Sequence, residues 1–296
     1  MSDLVGDLAR YGFLQNALAC GLLASVAAGV VGSYVVVRRM TYLAGSIAHF
    51  VLGGMGAARY LDRVCGWHWL SPLHGALVAA VAAAVVVGWI GLRAREREDT
   101  VIGALWAIGM AVGILFISRT PGYDEDLTSY LFGNILMVSE GQLWLLAGLD
   151  AVILALGVAF HNQLVAVCFD EEFARLRGVP VDLFYLMLLV ATALTVVVLI
   201  TVVGIVMVIA LLTIPAAIAG QFCSKLWQTM IAAVAVGAAL TTVGLGVSYV
   251  QGAPPGATII LIAGGAYLAS LAARAGLRRA RAASASRSRD RPGPDR

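Results

Sequence analysis

Apolar residues in this chain come in long, nearly uninterrupted blocks, separated by short stretches of Arg, Asp, Gly and Pro. A helix needs about 20 apolar residues to cross the hydrocarbon core of a bilayer. Nine blocks approach or exceed that length: 12–37, 41–60, 69–92, 100–118, 140–160, 182–203, 204–222, 226–249 and 256–275. The sixth and seventh almost touch, and Gly204 marks the expected break between them. The pattern predicts an all-α polytopic membrane protein with about nine transmembrane helices, in one membrane domain over residues 1–275.

The punctuation orients the spans. Arg38 and Arg39 follow the first block, and Arg93, Arg95 and Arg97 follow the third. Arg175 and Arg177 lie between the fifth and sixth, Lys225 between the seventh and eighth, and a run of arginines follows the ninth. If nine spans alternate, all of these fall on one side. Basic loops stay in the cytoplasm, so the N-terminus is expected outside and the C-terminus inside. The opposite loops carry fewer basic residues, and one holds Asp124, Glu125 and Asp126, expected to be a solvated acidic loop. From about 276 to 296 the chain turns to Arg, Ala, Ser and Pro. Such a composition buries too little surface to fold, so a disordered basic cytoplasmic tail is expected, touching anionic lipid rather than nucleic acid.

Composition agrees: 60% of the 296 residues are hydrophobic, 12% are charged, and the mean hydropathy is +0.90. That charge content is about half of a soluble domain's. Residues 1–10 include Asp3 and Asp7 and lack a basic start, so no cleavable signal peptide is expected. The four cysteines (Cys20, Cys65, Cys168 and Cys223) have no metal or disulfide spacing and read as isolated thiols. Lys225 is the only lysine, and it follows Ser224. A Walker A loop needs Gly-Lys-Ser/Thr, so the chain holds no such ATP motor. It is not expected to be an enzyme.

The loop between the fifth and sixth blocks reads Phe169-Asp-Glu-Glu-Phe-Ala-Arg-Leu-Arg-Gly-Val-Pro180. Asp170 is placed to cap a short helix, with Glu171 and Glu172 in its first turn, where the helix dipole favours them. Phe173, Ala174 and Arg175 continue it, and Gly178 is placed to end it. A self-capped helix between two spans serves either as a solvated connector or as a surface for a partner.

That loop resembles the coupling segment of the zinc/manganese-type ABC importer permeases, which typically read D-P-E-F-A-x-x-x-G-x-P there. The likeness covers most of residues 10–272. Gly32 to Met40 (GSYVVVRRM) resembles the end of that family's first span. Arg97 to Gly103 (REDTVIG) resembles the opening of its fourth, and Tyr130 to Leu136 (YLFGNIL) its L-F-G-x-I-L. Gly204 to Ala217 (GIVMVIALLTIPAA) and Pro254 to Thr258 (PPGAT) match two further motifs. The resemblance implies that an ABC ATPase subunit docks on the helix at 170–178. It also implies a pair of permease copies and an extracytoplasmic solute-binding protein that delivers metal. No cofactor is held permanently; the divalent metal is cargo, and ATP sits on the partner chain.

Ionisable groups inside spans are costly and mark candidate sites. His49, His74 and Asp150 stand out. The family usually carries Asp-x-x-x-His in its second span, two residues on one helical face, thought to bind the passing metal. Here His49 keeps its place, but Gly45 stands where the carboxylate is expected. His49 either lines the pathway or is satisfied by a neighbouring helix. His68 and His74, beside Trp67 and Trp69, are either an outer metal contact or interfacial residues. Asp150 could replace the missing carboxylate if its helix adjoins the second span. Pro215 is expected to kink or interrupt its helix, and the glycines at 53, 54, 56, 264 and 265 permit close helix packing. The leading expectation is an importer for zinc or manganese. The alternatives are a permease of the same fold for a metal chelate, and an ion-driven secondary cation transporter.

Overall fold

The computed structural model describes residues 10–93, 98–121 and 132–289, with side chains described up to 275. Arg95, Arg97, the Asp124–Asp126 acidic run and the start of the Tyr130 motif lie outside the described residues.

All regular structure among the described residues is helical. The long helices are α1 (Gly12–Val37), α2 (Thr41–Cys65), α3 (Pro72–Arg93), α4 (Glu98–Ser118) and α5 (Glu140–Ala159). After the short α6 (His161–Phe169) and α7 (Glu171–Leu176) come α8 (Val181–Val203), α9 (Ile205–Ala219), α10 (Leu226–Gln251) and α11 (Pro255–Arg289). Seven are long and apolar enough to cross a membrane: α1, α3, α4 from Asp99, α5, α8, α10 and α11 up to Ala275. The chain is a multi-pass membrane protein.

Two of the nine expected spans fall outside those seven, for different reasons. In α2 the apolar residues are diluted by Gly45, Ser46, His49, Gly53, Gly54 and Gly56. It is nonetheless the element whose inner face is packed on both sides. α9 has 15 residues, a length of about 22 Å against a hydrocarbon core of about 30 Å. The last helix continues to Arg289, past the boundary expected at 276. Alanine and arginine favour helix, so a composition that cannot build a core can still wind one.

α1 and α8 are the most buried of the spans. α1 packs against α5, α8, α9 and α10, while α8 bridges it to α3. α2, α3 and α4 form a second group. Glycines hold that group together. A Cβ at Gly53 would lie 2.8 Å from the Gly109 carbonyl oxygen, and one at Gly54 would lie 2.3 Å from that of Gly75. α2 is thus wedged backbone-to-backbone between α3 and α4, the close approach expected of small residues in membranes. Gly264 and Gly265 meet no neighbour.

Several buried hydroxyls inside the spans are satisfied locally. Ser25, Ser33, Thr192 and Thr241 donate to carbonyls one turn back, so their hydroxyls need no water. The α8–α9 break falls where the sequence places it. Gly204 has φ 82° and packs on Gly133, φ 61°, at backbone distance. A side chain at either position would clash and be strained. Pro215 sits inside α9, buried.

Candidate functional site

Two places concentrate chemistry: the middle of α2 and the short helix α7.

His49 is buried on α2, at 8% exposure. Its Nδ1 lies 2.8 Å from the Gly45 carbonyl oxygen. A carbonyl only accepts, so Nδ1 carries a proton, and in the neutral ring Nε2 is the nitrogen that keeps a lone pair. Among the described residues Nε2 has no hydrogen-bond partner. This leaves imidazole in the form that ligates metals, with its second nitrogen fixed by a backbone carbonyl. One face of the ring stacks on Trp106 of α4, centroids 4.4 Å apart at 24°. Ser46 is turned away, donating to the Ile102 carbonyl at 2.8 Å. Beside this pair a cleft of about 510 Å³ is lined by Thr41, Gly45, Trp106, Ile209, Thr213 and Tyr267, among others.

The other ionisable candidates stand apart from His49. Asp150 is buried on α5, and neither carboxylate oxygen has a hydrogen-bond partner. Its helix packs chiefly on α1 and α8 rather than along α2. The chain's own fold therefore does not bring Asp150 in to replace the missing carboxylate. His74 is exposed at the start of α3 and shares a 2.7 Å hydrogen bond with the Ser71 hydroxyl. His68 is exposed and pairs with Asp62 at 3.1 Å. Trp67 and Trp69 stack beside them, both exposed. Each histidine is engaged locally. No group of three His, Cys, Asp or Glu side chains converges among the described residues.

At the other end, α7 is built as its sequence dictates. The Asp170 carboxylate accepts from the Phe173 amide at 2.9 Å. Gly178, φ 77°, ends the turn, with Val179 N–H donating to the Ala174 carbonyl. Ala174 is fully buried and seats the helix. Arg175 pairs with Asp182 at the start of α8, at 2.6 Å. Phe169, Phe173 and Leu176 are exposed, Leu176 at 88%. A cleft of about 560 Å³ runs beneath, lined by Asn162, Gln163, Phe169, Phe173 and Arg177 among others.

Arg38 ties this helix to the bundle. Its guanidinium pairs with Glu171 and donates to the Val167 carbonyl at 2.7 Å. It also lies 4.3 Å from the centroid of the Tyr185 ring on α8. Arg39, the next residue, has φ 61°, a conformation an L-residue adopts at a cost. The sharp link from α1 to α2 is thus gripped by the loop helix.

Sequence reasoning missed two residues. Arg38 read as a topology charge, and its neighbours at 167, 171 and 185 are distant in sequence. Trp106 lies 57 positions after His49 and carries no motif of its own.

The family model of the ABC 3 transport family matches residues 10–274. The chain belongs to the ABC 3 transport family. It is similar to an uncharacterized membrane protein of Synechocystis, 45% identical over 93% of this chain and 95% of that one. It is also similar to a probable metal transport system membrane protein of Chlamydia trachomatis, 40% identical over 84% of each chain. A manganese transport system membrane protein of Halalkalibacterium halodurans is 31% identical over 87% of this chain and 86% of that one. Among solved structures, PsaBC from Streptococcus pneumoniae in complex with Fab superposes with TM-score 0.79 at 31% identity, covering 91% of this chain and 94% of that chain. As a permease of the ABC 3 transport family, the chain is a transport subunit, in line with the missing Walker A loop.

Proposed function

We propose that this permease is the membrane subunit of an ATP-driven importer for a divalent metal ion, zinc or manganese. A separate ABC ATPase powers it by docking on α7. A second copy of the chain completes the passage, and an extracytoplasmic solute-binding protein delivers the ion. The chain crosses the cell membrane nine times, with the N-terminus outside, and α2 and α9 count as crossings.

The observation that carries the reading is the build of α7. Its polar ends are capped or paired within the chain through Asp170, Arg38–Glu171 and Arg175–Asp182. Its outer surface offers Phe173 and Leu176, beside Phe169 at the end of α6, over a cleft. A solvated connector gains nothing from three exposed apolar side chains, whereas a docking partner buries them. The names of the manganese and metal transport relatives support the cargo class, as does the free Nε2 of His49.

The test is co-purification with the cognate ATPase. The double substitution Phe173→Ala with Leu176→Asp is expected to abolish the complex and leave the permease at wild-type level in the membrane. A complex of undiminished yield contradicts the docking site.

A second reading is favoured by one observation. The cleft of about 510 Å³ beside Gly45 and Trp106 exceeds what a bare ion requires, and it suits a metal chelate as cargo. Competition between free metal and chelated metal for uptake separates the two.

A further inference from the structure

Trp106 contacts both Gly45 and His49. The role that this contact gives Trp106 rests on, and deepens, the metal-importer reading above. Positions 45 and 49 are one helical turn apart, so a side chain at 45 would lie on the same face as the imidazole. A Cβ built on Gly45 would fall 2.8 Å from Cζ3 and 3.1 Å from Cη2 of Trp106, with Ile209 Cδ1 at 3.6 Å. The indole therefore fills the volume in which position 45 would present a second ligand. The same ring covers one face of His49. Ser46 points to the Ile102 carbonyl and supplies no replacement oxygen. Asp150 is held on a helix that packs elsewhere.

The donor set that one chain offers here is thus a single uncharged nitrogen, Nε2 of His49, beside an aromatic wall. Two copies would offer two such nitrogens. Imidazole suits zinc, copper, iron and nickel, whereas manganese prefers carboxylate, carbonyl and water oxygens. Manganese also sits at the weak end of the divalent series for any nitrogen site. A site without a carboxylate gives the oxygen-seeking ion least compensation for leaving water.

We infer that Trp106 is a specificity-determining residue: by occupying the space beside Gly45 it keeps the His49 site free of carboxylate and selects a nitrogen-seeking divalent ion of the zinc type over manganese. Chains that carry an acidic residue at position 45 would need a smaller residue at 106.

The experiment uses the permease reconstituted with its cognate ATPase and binding protein in liposomes. It measures ATP-dependent uptake of radioactive zinc and manganese at equal free concentrations. Direct binding of each ion to the detergent-solubilised permease–ATPase complex removes the binding protein's own preference from the comparison. The wild type is expected to favour zinc at least tenfold in both. Gly45→Asp with Trp106→Ala is expected to narrow that ratio at least tenfold. Gly45→Asp alone, with the indole in place, is expected to lose zinc transport without gaining manganese. Trp106→Phe with Gly45→Asp retains packing against α2 and carries the same prediction as the first double variant.

A zinc-to-manganese ratio unchanged in both double variants, with uptake retained, overturns the role of Trp106. So does a Gly45→Asp single variant that gains manganese as fully as the double, or a wild type that prefers manganese in direct binding. If the wild type moves neither ion in an ATP-dependent way, the metal-importer reading itself falls. That outcome is distinct from a change in ratio.

Discussion

At His49 one ring nitrogen is committed and the other is not. The Gly45 carbonyl fixes the tautomer, so in the neutral ring Nε2 is the free acceptor. His49→Ala is expected to cut metal uptake at least tenfold with the permease–ATPase complex still formed, measured as uptake against complex yield. His49→Gln is expected to rescue little, because an amide oxygen replaces the nitrogen lone pair. The residue itself was legible in the sequence, as a histidine inside an apolar block. Its surroundings were not. Gly45 could be seen as a departure, but what fills the vacated space is a tryptophan on α4, and pairings between helices leave no local trace in one sequence. Asp150 shows the reverse: prominent in the sequence, yet folded away from α2.

At the scale of elements, the decisive joint is the link from α1 to α2. Arg38 reaches Glu171, the Val167 carbonyl and the Tyr185 ring at once, and α2 begins three residues later with His49 two turns on. Displacement of α7 therefore has a short, stiff route to the helix that carries the candidate ligand. Arg38→Ala is expected to uncouple the two activities. ATP hydrolysis by the complex should persist while metal moved per ATP falls several-fold, read by measuring both in the same liposomes. Glu171→Ala is expected to do less, since Arg38 keeps its carbonyl and ring contacts. Arg38→Lys is not a rescue, because one ammonium cannot span three partners. Most helices were legible because apolar blocks of span length have one structural solution in lipid. Their ends followed local chemistry: Pro72 starts α3, Gly66 ends α2 with φ 72°, and Gly204 splits α8 from α9. The separate helix α6 is not drawn by the block pattern, although the polar run His161-Asn162-Gln163 interrupts the apolar residues of α5 where it begins.

At the scale of the molecule, the nine-span topology proposed above would place the end of α2 outside and α6 inside. Cys65 is exposed at the end of α2, whereas Cys20 is buried within α1. Burial pushes the Cys168 thiol up to about 11; the Arg38 charge opposes that shift, and Glu171 adds to it. A thiol so raised is almost wholly protonated at neutral pH and reacts slowly. A membrane-impermeant maleimide is therefore expected to label intact cells at Cys65, with the label lost in Cys65→Ser. Labelling of Cys223 but not Cys65 in intact cells would invert the topology. The measurement that bears most directly on the whole account is accumulation of divalent metal by liposomes containing the permease and supplied with its solute-binding protein, with and without the ATPase and ATP. The account predicts accumulation only when all three are present, and none with a hydrolysis-dead ATPase. Equal accumulation by the permease alone, without nucleotide, would contradict it and make the chain an ion-driven transporter.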